Sequence, residues 1–307
     1  MLPLILLILG GLLAGFALRA KRRRQTFLNA VEVITLQDVA SARLGNERDV
    51  WVYLPPGYRE HPVTRYEVLY IHDGQEREAL GLHETLVRLM SVGKIKPIIV
   101  VAVPTNNNRL HEYGTAIAPN RLNLGAQAGD YTHFLVEELI PLIDRDFRTG
   151  PGAVLLGMSL GGLSAFDIAW HNPDRFSAVG VMSGSFWWRA GDDETNIDPG
   201  RRIAHALVRR AQRPSPLRFW FQTGTRDETG DRDGDGVIDS IQDTLELTAE
   251  LRAIGCLPEQ IAYYEVKGGR HDYETWERAL PDFLSWAFNR GTDRQTAGAS
   301  SGSRPSR

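Results

Sequence analysis

A three-layer α/β fold, a mostly parallel central sheet with helices on both faces, is predicted by three observations. Short apolar runs alternate with longer helical patterns from about residue 30 onward. Several of those runs are apolar at every position, as strands buried on both faces must be. One run, Ala153-Val-Leu-Leu-Gly-Met158, breaks at Ser159 and continues into a helical pattern, which reads as strand, tight turn and helix.

Taken in order, Leu2 to Leu18 carries no charge. At about 1.5 Å per residue it barely reaches the thickness of a hydrocarbon core. Arg19, Lys21, Arg22, Arg23 and Arg24 follow it, whereas a cleavable signal carries its positive charge before the apolar run. Residues 1–20 are therefore expected to be a membrane anchor or a signal segment, of which an uncleaved single transmembrane anchor at the cell membrane fits better, with residues 21–29 a basic linker. The positive-inside rule would keep the following domain on the cytoplasmic side.

Val31 to Leu36 and Val50 to Leu54 read as paired edge strands, closed by the turn Pro55-Pro56-Gly57. Val68 to Ile71 and Pro97 to Val103 are buried strands separated by a helical pattern over Ala79 to Met90. Tyr131 to Phe147 places Leu135, Leu139, Leu142 and Ile143 at helical spacing. Ala178 to Met182, Leu217 to Phe221 and Ile261 to Val266 supply further strands, and Tyr273 to Asn289 a last helix. Residues 30–290 thus form one domain, while 291–307 are Gly, Ser, Thr, Arg and Pro with almost nothing apolar, a tail expected to be disordered.

A net charge of -3 gives no basic face for nucleic acid outside the N-terminal cluster. The single cysteine, Cys256, excludes an intrachain disulfide and a cysteine-rich zinc site, and reads as a buried structural thiol. Composition says nothing about oligomeric state.

Gly157-Met-Ser159-Leu-Gly161 has the spacing of a nucleophile elbow, in which a strained turn lifts the serine hydroxyl above the sheet. A Cβ at either glycine would collide with a neighbouring element, and Gly162 relaxes the same crowding. The serine alcohol needs a base and a group to orient that base. In the α/β-hydrolase arrangement these follow in the order serine, acid, histidine. His271 lies in a glycine loop between the last strand and last helix, whereas His205 sits in a helical run and reads as a helix-surface residue. Asp227 is the first carboxylate after the strand that begins at Leu217, with Glu228 and Asp231 as competitors. The oxyanion donors are then the amides of Leu160, after the nucleophile, and Gln75, in the turn His72-Asp-Gly-Gln75. His72 precedes the serine in the chain and is expected to pack or hydrogen-bond beneath that turn.

These motifs carry a resemblance. His72-Asp-Gly-Gln75, Lys96-Pro-Ile-Ile-Val-Val, Arg109-Leu-His-Glu112-Tyr113, the run from Phe134 to Asp144, the elbow, Ser183-Gly-Ser-Phe-Trp187-Trp188 and Gly269-Arg-His271 occur in the order found in the Putative esterase family. That group of α/β-hydrolases includes enterochelin (ferric enterobactin) esterases, feruloyl esterases and mycolyltransferases. The sequence most resembles its enterochelin-esterase-like branch. The resemblance implies hydrolysis of a small-molecule carboxylic ester through an acyl-enzyme, with no cofactor for the chemistry. It also implies that Arg109 and Glu112 lie at the site mouth and that Trp187 and Trp188 line the acyl pocket. The alternatives are a surface ion pair and two tryptophans capping the core. No N-terminal recognition domain like that of the longer siderophore esterases is evident, which leaves the natural ester open. An acyltransferase on the same residues and a non-catalytic binding module are the rival functions.

Asp231-Arg-Asp233-Gly-Asp235-Gly236-Val237-Ile-Asp239 matches most of a calcium loop, with carboxylates at alternate positions and glycine at the sharp turn. Gln242 stands where a bidentate glutamate is expected. A structural Ca²⁺ held by Asp231, Asp233, Asp235, Val237 and Asp239 would offset repulsion among the carboxylates and fix the loop that carries Asp227. Calcium is more plentiful outside the cytoplasm, which opposes the orientation the basic cluster implies.

Overall fold

The computed structural model describes residues 31–120, 122–189 and 201–289. The expected anchor at 1–20, the linker at 21–29 and the tail at 291–307 lie outside these residues. Among the described residues no helix is long and apolar enough to cross a membrane.

Eight strands form one sheet in the order β1-β2-β4-β3-β5-β6-β7-β8. They are β1 (Glu32–Ser41), β2 (Asn46–Leu54), β3 (Val68–Ile71), β4 (Ile99–Ala102), β5 (Ala153–Met158), β6 (Phe176–Met182), β7 (Arg218–Arg226) and β8 (Ile261–Arg270). From β4 through β8 every neighbouring pair is parallel, while β2 is antiparallel to both β1 and β4. Only β1 of the first pair is therefore an edge. The sequence shows that β1 and β2 pair, but not that β4 closes the other side of β2, because that contact joins residues some fifty positions apart.

The helices are α1 (Leu82–Ser91), α2 (Arg109–Glu112), α3 (Ala128–His133), α4 (Ile140–Asp146), α5 (Leu160–His171), α6 (Ile203–Arg209), α7 (Asp239–Ala253) and α8 (Tyr273–Ala287). A π turn over Phe134–Leu139 joins α3 to α4, so the single helix expected over Tyr131 to Phe147 is a composite. Pro141 is the second residue of α4, and its missing N–H removes the bond that an α-helix would make there.

Alternation along the strands sorts the core into two layers. Tyr70, Val101, Leu155, Val179 and Phe221 face Leu139, Phe166 and Leu247 on the side of α3, α4, α5 and α7. Leu69, Ile71, Val100, Leu156 and Met182 face Leu86, Met90, Leu280 and Phe283 on the side of α1 and α8. Each fully buried leucine or phenylalanine contributes about 2 kcal/mol, so the sheet is fixed from both faces. Helix α5 is the most enclosed, with every residue from Leu160 to Ala169 buried. The C-terminal ends of β3, β5, β6, β7 and β8 consequently open onto one rim, where ligands of α/β sheets bind.

Candidate active site

At the rim above β5, Ser159 adopts φ 55° and ψ -124°, a conformation that non-glycine residues rarely occupy. The turn is held from all sides. Ser159 donates its amide to the Met182 carbonyl at 2.9 Å, and its own carbonyl accepts from Gly162, Leu163 and Ser185 at 3.0, 3.2 and 3.1 Å. A Cβ on Gly157 would lie 2.0 Å from the Gly161 carbonyl oxygen, and one on Gly162 would lie 2.8 Å from Val181. Glycine is required at both positions because the reversing chain folds back onto itself.

His271 follows the last residue of β8 and precedes Asp272, which caps α8 by accepting from the Thr275 amide at 2.9 Å. Two rigid elements therefore meet at the imidazole. Its Nε2 lies 2.8 Å from Ser159 Oγ, and its ring packs edge-on against Trp276 at 5.2 Å. Burial lowers the pKa of His271; the charge of Asp227 opposes this, and that of Arg109 adds to it.

Of the three candidate carboxylates, Asp227 is the one that bears on His271. Burial raises its pKa, while the Gly224 backbone, the Ser183 hydroxyl and the charge at His271 act to lower it. Neither of its oxygens reaches hydrogen-bond geometry with a described residue, so Ser183 is an electrostatic neighbour rather than a formed bond. The Glu228 carboxyl, raised chiefly by burial, lies beside Ser240 and Asp239. Asp231 accepts from the Gly234, Asp235 and Gly236 amides at 2.8, 3.2 and 2.9 Å, all within its own turn.

The amides of Leu160 and Gln75 donate to no described carbonyl, which leaves both available at the rim. Beneath them His72 is fully buried, with Nδ1 2.9 Å from the Gly161 carbonyl oxygen and its ring stacked on Tyr113 at 5.0 Å. Burial depresses its pKa to about 4, so the neutral ring donates from Nδ1. Asp73 is in the left-handed region, φ 55°. Its carboxylate takes two hydrogen bonds of 2.7 Å from Arg109 Nε and Nη2.

Several expected contacts are not made. Glu112 is fully buried, not at the mouth: Arg48 from β2 donates to both its oxygens at 2.8 and 3.0 Å. A buried carboxylate needs such a partner, and Arg48 supplies it. Trp188 is 1% exposed and caps the core, its ring lying against Gly114 and Gly125. Trp187 is 48% exposed, at the turn that the Trp188 amide closes by donating to the Ser185 carbonyl at 3.2 Å. His205 is fully buried rather than on a helix surface, its Nε2 2.8 Å from the Asp243 carbonyl oxygen, and burial brings its pKa to about 3. In the acidic loop the ligand atoms of Asp231, Asp233 and Asp235 lie within 4.8 Å of one another. Asp239 instead accepts from the Arg232 amide and Nε at 2.9 and 3.0 Å, so the intervening arginine withdraws it from the cluster. The Val237 amide donates to Asp235 at 2.8 Å, and Gln242 reaches Asp233 at 2.7 Å.

Asp73, Arg48, Ser183 and Trp276 were not singled out by the sequence. The one available signal was the Asp-Gly pair at 73–74, whose turn propensity favours a left-handed residue.

A parallel sheet with an α5-capping serine, and an imidazole delivered to it from β8, defines an α/β-hydrolase. The family described as Putative esterase matches residues 41–287, and the chain belongs to that family, in its enterochelin-esterase-like branch. By that membership it is an ester-hydrolysing enzyme. The Iron(III) enterobactin esterase of Dickeya dadantii (strain 3937) is 27% identical over 86% of this chain and 57% of its own length. A ferulic acid esterase structure superposes with a TM-score of 0.64 at 20% identity, covering 84% of this chain and 97% of that one. The enterobactin esterase of Shigella flexneri gives a TM-score of 0.64 at 22% identity, over 83% and 57% of the two chains. The chain thus spans little more than half the length of these enterobactin esterases.

Proposed function

We propose that the chain is a serine carboxylic-ester hydrolase that works through an acyl-enzyme on Ser159, His271 and Asp227. The observation that carries this reading is the 2.8 Å approach of His271 Nε2 to a strained, outward-facing Ser159 Oγ. His271 takes the hydroxyl proton as Oγ bonds to the ester carbonyl carbon. The negative charge that develops on the carbonyl oxygen is met by the Leu160 and Gln75 amides, aided by the positive end of α5. The C–O bond to the alcohol then breaks and the imidazolium returns its proton to that oxygen. Water repeats the sequence against the acyl-enzyme. Asp227 keeps the imidazole in the productive tautomer and stabilises its charged form.

Relatives that act on enterobactin or are called ferulic acid esterases support an ester with an aromatic acyl group as substrate, and exposed Trp187 and part-exposed Arg109 are the side chains assigned to contact it. Turnover of p-nitrophenyl esters, followed by a panel of short-chain, hydroxycinnamoyl and catecholate trilactone esters, tests it. Ser159→Ala is expected to lower kcat by about 10⁴-fold or more; a variant that retains the wild-type rate sinks the assignment.

Two finer readings accompany the reaction. Residues 1–20 tether the 30–290 domain to the cell membrane, supported by the uncharged run from Leu2 to Leu18. Release of the intact chain by alkaline carbonate alone would refute this. Asp231, Asp233 and Asp235 hold a structural Ca²⁺, supported by their alternate spacing and mutual proximity.

A further inference from the structure

Two buried side chains that have no step in the proposed chemistry bear on both the base and the acid. Trp276 of α8 is 4% exposed and packs edge-on against the His271 ring, with centroids 5.2 Å apart and planes at 80°. Its Nε1 donates to Ser183 Oγ at 3.0 Å. Ser183 directly follows β6, is buried, and donates its amide to the Gln222 carbonyl of β7 at 2.7 Å. The Asp227 carboxylate folds back over the same strand, where a Cβ on Gly224 would lie 2.6 Å from its Oδ1. The Ser183 hydroxyl is among the groups that favour the ionised form of that carboxylate.

Ser183 holds φ 48°, a conformation that glycine adopts freely and other residues rarely. A serine there costs backbone strain and supplies a hydroxyl in return. That hydroxyl has one proton and two lone pairs, and an indole N–H can only donate, so Trp276 takes a lone pair and leaves the proton free to turn to an acceptor. An ionised carboxylate can only accept, and neither Asp227 oxygen has a hydrogen-bond partner among the described residues. The donor and the acceptor complement each other at the end of β7.

We propose that Ser183 and Trp276 are positioning residues for the acid: the indole N–H fixes the rotation of the Ser183 hydroxyl, which donates to Asp227 and holds its carboxylate in place as the imidazole of His271 takes up its proton. This rests on the hydrolase reading with Asp227 as the acid. The contribution falls on kcat, because the imidazolium that Asp227 supports exists only once Ser159 has given up its proton.

The test is steady-state kinetics on one ester that the wild type turns over, with Ser183→Ala, Ser183→Gly, Trp276→Phe, Ser183→Gly/Trp276→Phe, Asp227→Asn and Ser183→Gly/Asp227→Asn. Ser183→Ala and Ser183→Gly are each expected to lose on the order of tenfold in kcat, with KM changed less than about threefold. Alanine keeps the backbone strain and glycine relieves it, so equal losses assign the effect to the hydroxyl. Trp276→Phe keeps a ring beside His271 and removes the N–H, with a loss of about three- to tenfold expected. Its combination with Ser183→Gly should lose no more than about the worse single variant, since both break one relay.

The decisive readout is the effect of Ser183→Gly in the Asp227→Asn background. With no carboxylate charge left to hold, it should change kcat by less than about twofold, whereas a general effect on folding or packing would act in both backgrounds. If Trp276→Phe or Ser183→Ala fails to fold, this pair still carries the test, because glycine is at ease at φ 48°.

A loss from Ser183→Gly that persists undiminished beside Asp227→Asn overturns the relay. So does wild-type kcat in Ser183→Gly with a loss confined to Ser183→Ala, which would leave backbone strain alone, or a rise in KM at constant kcat, which would make Ser183 a substrate contact. A wild-type protein inert toward every ester removes the hydrolase reading itself, and an active one whose Asp227→Asn variant keeps the full rate removes Asp227 as the acid. An enzyme that depends on Asp227 but is indifferent to every Ser183 variant removes the relay alone.

Discussion

The two sides of Ser159 are finished to different degrees. On the β3 side, His72, Asp73, Gln75 and Arg109 exchange hydrogen bonds of 2.7 to 3.1 Å with one another, with Tyr113 and Thr105 and with the elbow. On the β7 side, both Asp227 oxygens lack a hydrogen-bond partner among the described residues, and the chain runs directly into an exposed loop with carboxylates at 231, 233 and 235. The difference teaches where rigidity is needed before substrate arrives. Donors aimed at an oxyanion contribute most when they need not reorganise, whereas an acid that supports the base can close its hydrogen bond as the imidazole becomes charged.

The largest effect that sharpens this contrast is expected at Asp227. Asp227→Asn keeps the shape but removes the charge that stabilises the imidazolium, and kcat should fall by about 10²- to 10⁴-fold. Glu228→Gln and Asp231→Asn, whose carboxylates face Ser240 and the loop amides, should change kcat less than about threefold. A greater loss in either than in Asp227→Asn would transfer the role of acid and break the comparison.

The next effect is on stability and belongs to the β3 side. The buried His72 has a pKa of about 4 in the fold against 6.5 for an exposed ring. Between these values the unfolded chain binds a proton that the native state excludes, so stability is full above pH 6.5 and declines as pH falls toward 4. The loss reaches roughly 3 kcal/mol, and His205, brought to about 3, adds in the same direction. Denaturant midpoints for the wild type should fall steeply from pH 7 to pH 4.5, and His72→Gln should flatten that slope while leaving the His205 part. Identical slopes in the two proteins would show that His72 gains its proton without unfolding cost.

How much of this the sequence disclosed depends on how local each contact is. The alternation of β and α runs and the fully apolar strands gave the layered sheet, and the elbow glycines gave Ser159, because strand, turn and helix are all written within a few residues. His271 was legible from its place on a loop after the last strand. The errors arise where a partner is distant in the chain. Glu112 and Arg109 share one turn of α2, yet one faces Arg48 of β2 and the other Asp73 after β3. No spacing within the motif distinguishes them. Trp187 and Trp188 are neighbours with opposite fates for the same reason, and His205 is buried only because α6 packs on α7, where its ring meets the Asp243 carbonyl. Asp239 fits a ligand pattern by position but is taken by the arginine inside that pattern.

The smallest effect concerns the acidic loop and would narrow the contrast between the two sides. If Asp231, Asp233 and Asp235 bind calcium, the ion ties down the segment between Asp227 and α7 and supplies to the β7 side some of the order that hydrogen bonds supply to the β3 side. The three side chains are exposed, so the site would be modest, and binding to the native state alone stabilises it in proportion to the logarithm of ligand over Kd. A stabilisation of about 1 kcal/mol corresponds to a rise of about 2–4 °C in Tm for a domain of this size. Thermal melts with millimolar CaCl2 and with excess EGTA should differ by that amount, and equal MgCl2 should give less, because Mg²⁺ dehydrates reluctantly. Asp233→Asn should abolish the response. Asp239→Asn should lower Tm by breaking its bond to Arg232 yet keep the calcium increment, because that carboxylate does not face the other three. Were Asp239→Asn to erase the increment while Asp233→Asn preserved it, the ion would lie at the start of α7 and the loop itself would contribute nothing to the order of the β7 side.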